Sequence, residues 1–254
     1  MEYLILPDGL QVAQVSYGET ALLFRRIFSN QCYLQHGIEL HPGNVIFDVG
    51  ANIGMASLFF RQRCPGVIVH AFEPAPLPFA ALRENMRTYG IPGSCQQVAL
   101  ADMPGSRDFT YYPQTTLMSG MYADADEDSA LTKAFLRNSG LDDAQIGEIV
   151  SQKYQRESCV TKVSTLSTEM AALRVDQIDL LKLDVEKSEL HVLRGMAAGD
   201  WPRLKQLVAE VHDIDERLSE FTTLLRSHGF DVAVEQEDGL RGTNVYEVFA
   251  VRPR

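Results

Sequence analysis

An α/β fold built on a mostly parallel, Rossmann-like sheet is predicted by three features of this 254-residue sequence. Short apolar runs alternate with segments of helical period, the pattern of strands joined by crossover helices. A glycine-bearing turn, FDVGANIG, follows the first of these runs directly. The chain closes on two strands joined by the short link EQEDGLRGTN, which predicts an antiparallel hairpin at the edge of the parallel sheet. Five parallel strands and this hairpin make a seven-stranded sheet in one domain over residues 1–254.

Residues 1–40 precede the sheet and are expected to cap one end of it. The first strand covers 45–49, and the helix after it carries apolar Ile53, Ala56, Phe59 and Phe60. A second strand over 67–72 leads to a helix over 76–89, where Pro76 suits the first turn. The third run covers 95–100. The alternation then stops: 103–162 is polar, glycine-punctuated and acidic, with helical pieces over 131–138 and 144–154. An interruption of that length between strands three and four predicts a lid rather than a connector, and its acidic run 124–128 reads as a solvated face. Strand four is IDLLKLD, followed by a helix in which Leu190, Leu193 and Ala197 share one face. Strand five lies in LKQLVAEVHD, before a helix with Leu218, Phe221, Leu225 and His228 that Gly229 ends. The final strands cover 231–234 and 246–251.

Hydrophobic residues at 45% and charged residues at 22% are ordinary for a globular protein. No apolar run is long enough to span a bilayer, and the start, MEYLILPDGLQV, lacks a basic leader, so a cytoplasmic location is expected. The four cysteines, Cys32, Cys64, Cys95 and Cys159, show no metal spacing and are expected as reduced thiols. A net charge of −11 disfavours gripping phosphate backbone, and no basic run with interleaved aromatics is present. Neither nucleic acid nor membrane is expected as a partner.

The turn reads D-x-G-x-N-x-G, with Asp48, Gly50, Asn52 and Gly54. In an open α/β sheet it lies at the carboxyl edge, where ligands bind. A dinucleotide turn requires G-x-G-x-x-G, and Asn52 and Met55 stand where its second and third glycines would be. Asp48 precedes the glycines, where it is expected to face an ammonium rather than a pyrophosphate; S-adenosylmethionine carries such a group. Glu73, 25 residues after Asp48 and followed by Pro74, closes the second strand. A carboxylate there accepts both ribose hydroxyls of an adenosine, in nicotinamide enzymes as well. Asp102, past the third run, either bonds the adenine amino group or starts the turn at Pro104 and Gly105.

On the blocks VIFDVGANIGMASLFF, AFEP and IDLLKLDVEKSELHVLRG, the chain resembles the FkbM family of S-adenosylmethionine-dependent methyltransferases, over roughly residues 20–250. The resemblance implies a class I methyltransferase fold, S-adenosylmethionine as cofactor with S-adenosylhomocysteine as product, and O-methylation of a natural-product or sugar hydroxyl. The family's commoner D-V-E-G-A-E form is replaced at Lys187 and Ser188. With EVHD and RGTNVYEVFAV downstream, the chain looks most like members from polyketide and nonribosomal-peptide pathways. That implies a bulky acceptor, free or bound to a carrier protein. The resemblance also brings TTLMSGMY near the cofactor, with Ser119 in contact; by its residues alone the segment reads as a lid hinge at Gly120, and the two readings are compatible. Cofactor contacts are therefore expected at Asp48, Gly50, Asn52, Gly54, Glu73, Pro74, Asp102, Ser119 and Asp184.

Methyl transfer from a sulfonium is an in-line displacement on an activated donor, so the protein mainly aligns the reactants and excludes water. An alcohol must also lose its proton to a base within reach. Asp184 and Glu186 close strand four; Glu210, His212 and Asp213 close strand five. His212 is the expected general base, with an ordinary pKa of about 6.5 and Glu186 or Glu210 orienting it. His191 and His228 fall on helices, His70 in mid-strand, and His36 and His41 in the cap or its linker. Tyr17 and Tyr33 in the cap either stack on ligand or pack.

The same acids with His212 also form an oxygen-rich set suited to Mg²⁺ or Mn²⁺. A metal-assisted O-methyltransferase of a sugar or small-molecule hydroxyl is thus the alternative. A binding module without catalysis is a rival from another class, against which Asp48, Glu73 and His212 speak. Asn52 and Met55 count against a nicotinamide-dependent reductase. A nucleic-acid methyltransferase is disfavoured by the charge and by the lack of an N-P-P-Y loop.

Overall fold

A computed structural model describes residues 1–151 and 153–253. Strands β1 (Glu2–Ile5) and β2 (Gln11–Gln14) form a hairpin, followed by helix α1 (Tyr17–Leu23) and a wider, π-type turn over Phe24–Ser29. The sheet begins with β3 (Val45–Val49), α2 (Met55–Arg63), β4 (Ile68–Phe72), α3 (Pro76–Thr88) and β5 (Gly93–Gln96). A second layer follows: β6 (Ala99–Leu100), β7 (Gly105–Tyr111), α4 (Ala125–Asn138), α5 (Asp143–Val150) and β8 (Glu157–Ser164). The chain then returns through α6 (Leu166–Leu173), β9 (Leu180–Leu183), α7 (Glu189–Arg194), β10 (Gln206–His212), α8 (Arg217–Ser227), β11 (Asp231–Glu235) and β12 (Val245–Val251).

The main sheet has seven strands in the order β11-β12-β10-β9-β3-β4-β5. β12 runs antiparallel to both of its neighbours, and the pairs from β10 to β5 are parallel. The terminal hairpin forms at one edge of the sheet as expected, with β11 on the rim and the antiparallel strand β12 between it and β10. Burial explains this: Val245, Val248, Phe249 and Ala250 of β12 are at most 1% exposed, so the strand needs cover on both faces. β11, with Asp231 and Glu235 exposed, suits the rim.

Alternation divides the core in two. Ile46, Leu180, Val208 and Phe249 face α2, α3 and the N-terminal segment. Phe47, Leu181, Leu207 and Val248 face the side of α6, α7 and α8. By the same period of two, Asp48, Lys182, Glu210 and Glu247 fall on the first face. Residues 1–40 therefore pack along that face rather than only over one end. Asn85 of α3 fastens them there, accepting from Ala13 N at 2.7 Å and donating to Ala13 O at 3.0 Å.

The expected third strand is divided. β5 ends at Gln96, and Ala99–Leu100 joins a separate sheet of order β6-β8-β7. The expected lid is largely built structure, because β7 and β8 pair antiparallel from Gly105↔Val163 to Tyr111↔Glu157. α5 covers the first part of the helix expected over 144–154; residue 152 lies outside the described residues. The acidic run is not a uniform solvated face. Asp124 caps α4 by accepting from the N–H groups of Asp126 and Glu127, whereas Asp128 is 1% exposed. No helix among the described residues is long and apolar enough to cross a membrane.

Candidate active site

The carboxyl ends of β3, β4 and β9 converge on a cleft. Gly50 is obligatory in the first turn. Its φ is +74°, and a Cβ there would lie 1.7 Å from the carbonyl oxygen of Asp184. Gly54, at φ +87°, starts α2 where a Cβ would meet Leu82 Cδ1 at 2.8 Å. The two glycines thus let strand end, helix and β9 approach closely; of the pair, Gly50 lines the cleft.

Glu73 is 6% exposed at the cleft wall. Its Oε2 accepts from Asn52 N and its Oε1 from Ala75 N, each at 2.8 Å. Burial pushes its carboxyl up to about 7, against those two bonds. Asn52, Pro74, Ser119 and Asp184 also line the cleft. Ser119 Oγ accepts from Tyr112 N at 3.0 Å. Asn52 Nδ2 donates to Thr116 Oγ1 at 3.1 Å, which donates to Glu19 Oε2 at 2.8 Å. One hydrogen-bonded line therefore joins the glycine turn, the insertion and α1. Tyr33 lines the cleft, while Tyr17 is exposed.

Three expected contacts are not at the wall: Gly54, which packs against Leu82 instead, Asp48 and Asp102. Asp48 is fully buried beneath the wall, accepting from Ser57 Oγ at 2.7 Å with Lys182 Nζ at 3.3 Å. The reason is register: Asp48 stands opposite Lys182 across the β3–β9 pair. Asp102 lies outside the cleft, paired with Arg107 at 2.7 Å and 3.7 Å from His191. Lys182, which the sequence reading passed over, does line the cleft. Its Nζ donates to Gly50 O at 2.7 Å, sits 3.7 Å from Asp184 and lies over the Tyr33 ring. Burial opposes its charge, but Asp48 and Asp184 hold its pKa above the ordinary value. A lone lysine amid LLKLD was the available signal.

His212 is 1% exposed and stands between two carboxylates. Nε2 lies 3.3 Å from Glu186 Oε2, and Nδ1 lies 3.4 Å from Glu189 Oε1. Burial opposes protonation of the ring, yet Glu186 and Glu189 outweigh it and hold the pKa well above the usual 6.5. Burial likewise pushes Glu186 up to about 7, with His212 pulling it down. The pair therefore retains a proton near neutrality. Glu189, not Glu210, is the second partner, because Arg26 binds Glu210 at 2.6 Å. Asp213 accepts from Leu218 N and so caps α8.

Glu186 and Lys187 hold left-handed φ values of +49° and +71°. Position 187 is where the commoner family form has glycine, and here the lysine side chain has a task. Lys187 is 5% exposed, with Nζ 2.8 Å from Asp128 and 2.9 Å from Glu127 of α4. The left-handed turn after β9 is thereby pinned to the insertion. Ligand atoms of Glu186, Glu210 and His212 come within 4.8 Å of one another. A cation there would have to compete with Arg26 for Glu210.

The residues fit S-adenosylmethionine on structural grounds. Glu73 offers a fixed carboxyl for a ribose, and Val98, Leu100 and Phe109 provide an apolar wall for a base. Ser188 Oγ and Glu186 Oε2 are buried at the cleft without an aligned hydrogen bond. This sheet order, the glycine turn and the buried acid that follows β4 define a class I, S-adenosylmethionine-dependent methyltransferase. Within that class the chain belongs to the FkbM family: the Methyltransferase FkbM domain matches residues 48–232.

The chain is 48% identical to the 31-O-demethyl-FK506 methyltransferase FkbM of Streptomyces tacrolimicus, across 99% of this chain and 97% of that one. It is 34% identical to the AMB antimetabolite synthetase AmbE of Pseudomonas aeruginosa, where 98% of this chain matches only 12% of the larger protein. The fold agrees with that of a crystallised methyltransferase FkbM from Methylobacillus flagellatus, with a TM-score of 0.55 at 13% identity. That match covers 85% of this chain and 46% of the other.

Proposed function

We propose that this enzyme methylates a hydroxyl of a bulky natural product, free or carrier-bound, and that the Glu186–His212 pair takes the acceptor's proton. One observation carries the reading: His212 is bracketed by Glu186 and Glu189 at the edge of the donor cleft. When bound, the cofactor supplies an electrophilic methyl; an oxygen–carbon bond forms, the carbon–sulfur bond breaks, and a proton is left to be removed. Glu189 holds Nδ1–H, which leaves Nε2 and Glu186 Oε2 to receive that proton. Lys182 and Asp184 line the same cleft and fix its charge. Glu73 positions the cofactor's ribose.

The acceptor class is supported by the relative that acts on 31-O-demethyl-FK506, which makes that compound the natural first probe. Incubation with it and S-adenosylmethionine should yield the O-methyl product and S-adenosylhomocysteine. His212→Ala should lower turnover by about 10²- to 10⁴-fold while S-adenosylhomocysteine still binds. Near-normal turnover in that variant refutes the base assignment. The cluster of Glu186, Glu210 and His212 supports a second reading, with a divalent cation acidifying the hydroxyl. Loss of activity in EDTA, restored by Mg²⁺ or Mn²⁺, would put that reading first; the proton-accepting pair predicts no effect.

A further inference from the structure

A second cavity, of about 420 Å³, opens between α4 and the turn at 242–244. It is within the usual range for a ligand site, about 300–1,000 Å³. Its floor is His212 and Lys187, and α4 turns Leu131 and Ala134 toward it, opposite Ile214. Thr243 and Asn244 give it a neutral polar rim.

This cavity and the donor cleft abut across one pair of side chains. Glu186 lines the cleft, His212 lines the cavity, and their facing atoms are 3.3 Å apart. Both facing atoms are buried without an aligned hydrogen bond. An alcohol entering from the cavity can donate to one and accept from the other. In-line displacement also needs the acceptor oxygen to meet the methyl from the side away from sulfur. A second cavity across the proton-accepting pair satisfies that need.

We propose that the cavity between α4 and residues 242–244 is the acceptor site and that it takes an uncharged, apolar alcohol; this rests on the hydroxyl-methylation reading above. The charge balance excludes an anionic acceptor. Glu127, Asp128 and Asp213 face the cavity, and its one lysine, Lys187, is committed to the first two. The apolar side chains of α4 and Ile214 take up the hydrocarbon, and His212 at the floor meets the hydroxyl.

The test uses cyclohexanol as an apolar secondary alcohol, titrated into the S-adenosylhomocysteine-loaded enzyme and followed by methyl NMR. The Ala134 and Ile214 methyl signals should shift with saturation. Ala134→Trp and Ile214→Trp, each filling the cavity from a different wall, should weaken cyclohexanol binding at least tenfold (about 1.4 kcal/mol) and leave S-adenosylhomocysteine affinity unchanged. No saturable shift in the wild type overturns the assignment, as does undiminished binding in either folded variant. Turnover of 31-O-demethyl-FK506 is measured separately. If it is absent while cyclohexanol binds and is displaced, the hydroxyl-methylation reading falls and the cavity stands as an alcohol site.

Discussion

Replacing Lys187 should loosen α4 from the rest of the molecule, by an amount that follows from its partners. Asp128 is 1% exposed, and among the described residues it keeps, besides Lys187, only the Tyr112 hydroxyl, at 3.2 Å, as a side-chain donor. Removing one member of a buried ion pair costs about 3–5 kcal/mol. Protonation of Asp128 caps that cost: lifting a carboxyl from about 3.9 to pH 7, at about 1.4 kcal/mol per unit, gives about 4 kcal/mol. Glu127, the other partner, is 63% exposed and adds little. Lys187→Ala should therefore cost α4 about 3–4 kcal/mol at pH 7. Lys187→Gly should cost about 1 kcal/mol less, because φ +71° strains any side chain but suits glycine.

Amide exchange over residues 125–138 is the assay, with β3 and β9 as internal references. Three kcal/mol corresponds to exchange about 150-fold faster in α4 of the alanine variant, and the glycine variant should exchange about fivefold more slowly than that. The sign with pH is also determined. Burial holds Asp128 above its ordinary value even beside Lys187. Without the lysine the folded state grips a proton more tightly still, so the penalty shrinks as pH falls toward about 4. Exchange in α4 within threefold of wild type, or a glycine variant no slower than the alanine one, would refute the reasoning.

Two further outcomes are expected. Lys182→Met strands Asp48 and Asp184 without their ammonium, which should cost about 3–5 kcal/mol and lower the melting temperature by about 6–20 °C at this chain length. Melting followed by the single tryptophan, Trp201, checks this, and an unchanged midpoint counts against the buried pairing. The kcat should rise with pH beyond about 6.5, because Glu186 and Glu189 raise the His212 pKa and the pair must lose a proton before accepting one. Glu186→Gln should move that rise to lower pH and reduce the plateau; a profile already flat at pH 6 would contradict the pair.

Local patterns in the sequence carried much of this protein. Alternating apolar runs and helical periods are set within a few residues, so the seven-stranded α/β sheet was legible. So were the glycine turn, Glu73 at the end of β4 and His212 at the end of β10. The D-V-E-K-S departure singled out Lys187, but not its reason. That reason is a left-handed backbone combined with an acid on α4, nearly 60 positions away in sequence.

What the tertiary structure alone decided is pairing between distant segments. Register across β3 and β9 put Asp48 under the cleft floor against Lys182. Arg26, from the N-terminal segment, took Glu210 out of contention and left Glu189 to hold His212. Apolar residues on both faces of β12 drew it into the sheet interior. A charge pattern along the chain shows which groups need partners. The burial that makes the need severe, and the neighbour that meets it, exist only once the layers are packed.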